Sequence, residues 1–402
     1  MSRVSMSLPS AASRLLTAGV GLCLAGAAAV TAGVPAVAVT AAASGVTVDH
    51  WGAFEGDGAV FDKSLTPSAL TLPGKVAEVG SSNSDQYALL TNGTVYAWGD
   101  GGDGQLGNGA TANSATPVQV QFPAGVKIAS IATDVSPYNS ALAVDTTGHA
   151  WGWGLNLGGE FCLGNHDRQL TPVELPFTDV TTLAGAADHA TYDAAGTIYS
   201  CGADQDGELG DGTTTSSTTP VKVTGLDDAL VTTLVAAWGD TGALLSNGAY
   251  YDWGFNSGGQ VGNGSTTNAD APYQVPLPAA VSVAAQGGSL ASNGQSIVLL
   301  STGALYAWGN GEYYQLGNGA KGNETTPIKI TPPAGVTYTA LASGGSTCYG
   351  VTKSGAVYAW GQSTVGQVGD GKTAAAKRPV KVTTGATGIS ATAGDVVSTK
   401  TG

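Results

Sequence analysis

Apolar and polar positions alternate along this chain in short runs, and the runs come in a fixed order. One kind carries a proline: Thr-Pro-Val-Gln-Val at 116–120, Thr-Pro-Val-Glu-Leu at 171–175, Thr-Pro-Val-Lys-Val at 219–223 and Thr-Pro-Ile-Lys-Ile at 326–330. Such alternation predicts a strand with one buried face, and a proline at its start costs no ladder hydrogen bond. A second run occurs at 76–79, 126–131, 180–183, 231–235, 281–284, 336–341 and 387–391. Two more then flank a tight turn, as residues 86–90 and 94–98 do around Thr91-Asn92-Gly93. Asn-Gly favours a hairpin because both residues tolerate positive φ. Equivalent turns stand at Thr147-Gly148, Ala195-Gly196, Asn247-Gly248, Thr302-Gly303 and Ser354-Gly355. Four strands in about fifty residues make one blade of a β-propeller.

The blades can be counted. Trp-Gly falls at Trp51, Trp98, Trp153, Trp253, Trp308 and Trp360, with Cys201-Gly202 in the remaining slot, at spacings of 47, 55, 48, 52, 55 and 52 residues. Proline keeps the same step at Pro67, Pro117, Pro172, Pro220, Pro272, Pro327 and Pro379. The last copy stops after Val396-Val397-Ser398-Thr399 without a Trp-Gly, and the first Trp-Gly comes early with no hairpin before it. Each end lacks what the other has. The expectation is an all-β, seven-bladed propeller of four-stranded blades, its ring closed by the N-terminal strand pairing into the C-terminal blade. Closure removes sheet edges that would otherwise template aggregation.

After five of the seven copies of the Trp-Gly slot comes a further pattern: Gly104-Gln105-Leu106-Gly107-Asn108-Gly109, Gly207-Glu208-Leu209-Gly210-Asp211-Gly212, Gly259-Gln260-Val261-Gly262-Asn263-Gly264, Gln315-Leu316-Gly317-Asn318-Gly319 and Gly366-Gln367-Val368-Gly369-Asp370-Gly371. These strings, with the Pro-Val that follows, resemble the repeats of the regulator of chromosome condensation family over residues 44–402. The resemblance implies a seven-bladed propeller. It also raises a nucleotide-exchange activity on a small GTPase, which in that family involves histidines at the start of the hairpin's first strand. Eight residues back from each turn glycine this chain has Asp85, Ser140, Asp188, Asp240, Gln295 and Thr347, with His189 one place off. Exchange activity is therefore not expected. The secreted bacterial propellers of the family that inhibit β-lactamases are a nearer analogue, although their repeats are shorter and lack the Leu-Gly-x-Gly insertion.

Composition agrees with many strands and turns: 61 glycines, 11% charged residues and two methionines in 402 residues. The net charge of −14, with no Lys/Arg cluster evident, argues against nucleic acid as a partner. Arg3 and Arg14 precede an uncharged apolar run from Leu15 to Val39, and Ala36-Val37-Ala38 and Ala41-Ala42-Ala43 follow as cleavage triplets. Residues 1–43 read as an export signal, with an uncleaved anchor as the alternative, and 44–402 as the propeller. The expected location is secreted or at the cell surface, as a monomer. Export permits a disulfide. Cys162 and Cys201 lie in consecutive copies, where pairing and two buried thiols are equally good readings. Cys348 reads as a buried small hydrophobe.

No catalytic motif stands out. His50, His149, His166 and His189 show no metal-ligand spacing, no nucleophile elbow occurs, and the Gly-rich strings lack the Lys-Ser/Thr of a phosphate loop. No metal or cofactor is expected. The loop after Trp-Gly varies on a constant frame, and variable loops on a rigid scaffold carry binding. The candidates are Phe54, Glu55, Asp100, Asp103, Asp204, Asp206, Phe255, Asn256, Glu312, Tyr313 and Tyr314, with His166 and Arg168 in the most irregular loop. The favoured reading is a binding protein that presents one face to a protein or a cell-surface polymer. The alternative is a carbohydrate-active or other hydrolase, with Glu55, Asp100, Asp204, Asp206 and Glu312 as its acids. A passive surface protein is the third.

Overall fold

The computed structural model describes residues 47–52, 64–82, 85–133, 139–186, 188–227, 229–287, 294–391 and 395–400. They form seven four-stranded antiparallel sheets. Blade one comprises β3 (Val76–Ser82), β4 (Asp85–Leu90), β5 (Val95–Gly99) and β6 (Ser114–Gln119). Blades two to six repeat that order through β26 (Ala376–Thr383). Blade seven joins β27 (Ala386–Ala391) and β28 (Asp395–Lys400) from the C-terminus to β1 (Thr47–Gly52) and β2 (Ser64–Thr71) from the N-terminus. The N-terminal segment thus supplies two strands rather than one. β1 pairs with β28 from Val48↔Thr399 to Gly52↔Asp395, the ladder that locks the ring.

The first strand of every blade touches the first strand of the next, and β27 touches β3, so seven inner strands close a circle. The proline strands are the outer edges. Here the structure corrects one expectation: Pro117 is the fourth residue of β6, not its first. The ladder steps from Ala97↔Val118 to Gly99↔Ser114, so the proline sits in a bulge on an edge strand. No hydrogen bond is lost there. The second and third strands of each blade are almost wholly buried between neighbouring blades. Among the described residues no helix is long and apolar enough to cross a membrane.

Turn length sets the register. In blade one residues 91–94 link β4 to β5, whereas Ala195 (φ 53°) and Gly196 (φ 79°) alone link β12 (His189–Ala194) to β13 (Thr197–Gly202). Two positive φ values in a two-residue loop match the twist of the flanking strands. The shorter turn moves blade three by one residue. His189 pairs with Gly202 as Asp85 pairs with Gly99 and Asp240 with Gly254. The slot thought to lack histidine therefore holds His189, fully buried, with its Nε2 2.8 Å from Thr241 Oγ1 of blade four.

Candidate binding face and the seams beneath it

Among the described residues, the loops that follow Trp-Gly lie at one end of the blades. Each of these loops is anchored below and free above. The Gln of Gly-Gln-Leu-Gly turns back into its own loop: Gln105, Glu208, Gln260, Gln315 and Gln367 accept from the backbone N–H two residues before them, at 2.7–2.9 Å. Its carbonyl oxygen accepts the indole N–H of the next blade. Trp153 donates to Gln105, Trp253 to Glu208, Trp308 to Gln260, Trp360 to Gln315 and Trp51 to Gln367, at 2.6–3.0 Å. A Cβ on Gly107, Gly210, Gly262, Gly317 or Gly369 would lie 2.6–2.9 Å from that indole, so only glycine lets loop and ring meet. All five tryptophans are completely buried. An indole of roughly 200 Å² contributes about 5 kcal/mol at each seam.

The seam between blades two and three is built otherwise. Cys162 stands where the other loops have glycine and keeps the left-handed backbone (φ 58°, against 60–79° for the glycines). Cys201 replaces the tryptophan, and the two are joined by a disulfide with Cα atoms 5.5 Å apart. The Glu160 carbonyl accepts from Tyr192 Oη at 2.7 Å, in place of an indole. Cys348 is free and completely buried, and burial pushes its thiol up to about 12.

Several candidates prove to be part of this anchoring. Asp204 and Asn256 are completely buried, and their side chains accept the N–H of Leu209 and Val261 across their own loops. Asp100 caps the N–H of Gly102. Asp103 pairs with Arg168 of the next loop at 3.3 Å, and Asp206 accepts from Asn268 at 2.6 Å, so these residues brace one blade to the next. Phe255 is half-buried edge-on against Trp238, with ring centroids 5.2 Å apart. Phe54 and Glu55 lie outside the described residues.

The remaining candidates are presented outward. Loop tips are Gly102, Leu157, Gln205, Ser257, Glu312 and Thr364, all exposed, and they share no chemistry. Leu157 is 54% exposed and Tyr313 37% exposed. Leu157 was not among the sequence candidates, which named His166 and Arg168 from its loop. A cleft of about 220 Å³ runs between residues 155–168 and 203–216, lined by Leu157, Gly158, His166, Asp188, Gln205 and Ser216 among others. His166 Nδ1 is 2.9 Å from the Leu157 carbonyl oxygen, which ties the two ends of that loop together. Burial, together with Asp188 of this lining, raises Glu160 to about 8, and burial raises Asp204 to about 6. None of the acids weighed as catalytic lines this cleft. Larger hollows of about 630 and 540 Å³ open on the opposite face, beside Gly248 and Gly93. They occur at the same offset in two blades, between the hairpin turn and the crossing to the next blade, so the repeat itself makes them.

Sequence reasoning missed two features. Trp238-Gly239 is a Trp-Gly pair only 15 residues before Trp253, out of step with the repeat, and that misfit was its signal. The second is a group of cations. Lys321 and Lys377 bring their Nζ atoms to 5.4 and 5.3 Å from the centroid of the Tyr314 ring, and Arg378 lies over Gly319. The chain does carry a basic cluster, assembled by folding from two segments.

Comparison with known proteins places these features. A model of the regulator of chromosome condensation (RCC1) repeat matches residues 92–133, 195–244, 302–351 and 354–398. The chain is 27% identical over 339 residues to the ultraviolet-B receptor UVR8 of Arabidopsis thaliana, covering 82% of this chain and 76% of the receptor. It is 30% identical over 300 residues to the human E3 ubiquitin-protein ligase HERC2, covering 73% of this chain but only 6% of the ligase. Among solved structures, human WBSCR16 superposes with a TM-score of 0.76 at 20% identity, over 89% of this chain and 99% of that one. Prp20p of Saccharomyces cerevisiae, studied with its binding properties to Gsp1p and histones, also gives 0.76 at 20% identity, over 90% of this chain and 92% of that one. By its repeats and by its closed ring of seven blades, this chain belongs to the RCC1 repeat family.

Proposed function

We propose that this protein is an exported binding module that holds a partner protein against the loop face of its ring. The observation that carries this reading is the contrast within each loop. Anchors are buried and bonded alike from blade to blade, whereas the tips differ in every copy and expose Leu157 and Tyr313. A rigid frame with unlike tips makes a surface that fits one partner, and exposed apolar and aromatic anchors are what partners bury. The yeast relative Prp20p is described bound to Kap60 and by its binding to Gsp1p and histones, which is consistent with this reading. Catalysis by the loop acids is less well supported, because Asp204 is sealed within its loop and Asp100, Asp103 and Asp206 serve as caps and braces.

Affinity capture tests it. The purified protein is offered to cell-envelope and culture-fluid fractions beside a Leu157→Asp/Tyr313→Ala variant and a Leu230→Ser variant. Leu230 is 62% exposed in the connection at the opposite face. The reading expects a saturable partner protein lost by the first variant and kept by the second. The reverse pattern would place binding on the other face, and steady turnover of a glycan by the purified protein would favour the hydrolase.

A further inference from the structure

The cations at Tyr314 stand apart from the exposed Leu157. The ring carries its charge unevenly: residues 155–228 hold twelve carboxylates and two Lys/Arg, whereas residues 311–383 hold seven Lys/Arg and three carboxylates. Within the basic sector three departures from the repeat meet at one seam. Tyr314 takes a slot that is glycine in the loops of blades one, two, three, four and six, and it keeps their left-handed backbone (φ 68°, against 82–90°). A Cβ at those glycines would lie 2.6–2.8 Å from the outer strand of the next blade. A tyrosine there is strained in its backbone. Lys377 is the neighbour it meets, in place of Leu170, Thr218, Asp270, Thr325 or Leu65. Arg378 replaces the threonine of Thr-Pro and lies where a Gly319 side chain would begin, 2.7 Å from that Cβ position. Lys321, Lys377 and Arg378 are exposed, and among the described residues none forms an ion pair with a carboxylate.

Three like charges held together without a counter-ion repel one another, and an aromatic ring beside two ammonium groups offsets only part of that. We infer that this seam binds a phosphate-bearing polymer, with Lys321 and Lys377 beside the Tyr314 ring and the Arg378 guanidinium contacting phosphate groups along one chain. A phosphate polymer suits the site because every step of its chain sets a negative group and oxygen acceptors before ammonium and guanidinium donors alike. A polymer suits it better than a free ion, because exposed single pairs are weak and Lys329 and Lys381 continue the positive surface along the same blades. The site lies away from Leu157 and does not depend on the protein-binding reading.

The test uses long-chain polyphosphate as the probe, with poly-L-glutamate beside it, at about 50 mM and about 300 mM salt. The wild-type protein is expected to bind polyphosphate at low salt and to lose it at high salt, and Lys321→Gln/Lys377→Gln/Arg378→Gln to weaken binding at least roughly tenfold. Tyr314→Gly separates a ligand site from a structural role. Restoring the repeat glycine relieves the strain, so its melting temperature is expected to rise while polyphosphate binding falls. Three results would overturn the inference: no polyphosphate binding at low salt, binding unchanged in the triple variant, or equal or tighter binding of poly-L-glutamate, which would make an acidic protein segment the occupant.

Discussion

Two seams of the ring depart from the repeat in opposite ways. Between blades five and six the lock is kept: Trp360 donates to the Gln315 carbonyl and packs on Gly317, and the change is confined to Tyr314 above it. Between blades two and three the surface position Gly159 is kept, and the lock itself is rebuilt. Glycine becomes Cys162, tryptophan becomes Cys201, Leu becomes Phe161 and Gln becomes Glu160. The comparison teaches what a seam requires. It needs a left-handed residue, a tight contact across the blades and a donor to the carbonyl at the Gln position. An indole is one way to supply the last two, and a disulfide with Tyr192 is another. The rebuilt seam works only if both cysteines are present, because Cys162 in front of a tryptophan would place its Cβ inside the ring. These are paired changes, and each alone is costly.

The largest effect is expected where a conventional lock is emptied. Trp308→Ala removes a completely buried indole and its 2.6 Å hydrogen bond, and should cost about 3–5 kcal/mol, read as a lowered denaturant midpoint. Next comes the covalent seam. Cys162→Ser/Cys201→Ser should cost about 2–4 kcal/mol, and wild type under reductant should lose a similar amount while other variants keep their reductant sensitivity. Cys162→Gly/Cys201→Trp sharpens the comparison further: it writes the standard lock into this seam. It is expected to fold without a disulfide and to be more stable than the double serine variant, unless Phe161 already fills the indole's volume.

A smaller effect follows from Glu160. Burial and Asp188 raise its carboxyl to about 8, from an ordinary 4.5. The folded state therefore holds this proton after the unfolded chain has released it. The contribution of Glu160 to stability is full below about pH 4.5 and is lost as pH rises toward 8, in the same window as those of the buried Glu78 and Asp240. Gln stands at the same position in four other seams. Glu160→Gln should make the protein's decline less steep than that of wild type and leave it more stable at pH 8, measured by thermal melts from pH 4.5 to 8. An unchanged slope would mean that Glu160 ionises freely and that the seam is more open than its burial indicates.

The architecture was readable because one physical demand recurs seven times. Every seam needs its buried anchor at the same offset, so Trp-Gly and Pro mark the period even where Cys201 interrupts it. What could not be read was which polar loop residues face inward. Asp204 and Asn256 look like loop-tip groups in sequence, yet the same oxygens are needed to hold the N–H of Leu209 and Val261. His189 was misplaced because counting from the turn assumes constant turn length, and blade three has the short one. Lys377-Arg378-Pro379 does break Thr-Pro, and Tyr314 does break the glycine slot. Each break was visible in sequence, but that they meet follows only from blade five lying against blade six.

The account rests on one face of a stiff ring being the surface that meets a partner. Hydrogen exchange on the protein with its captured partner bound tests this most directly. The prediction is slowed exchange at the tips of residues 155–168 and 310–323, with the hairpin turns at 91–94 and 246–249 unchanged. Protection confined to those turns, with the loop tips exchanging as in the free protein, would contradict it.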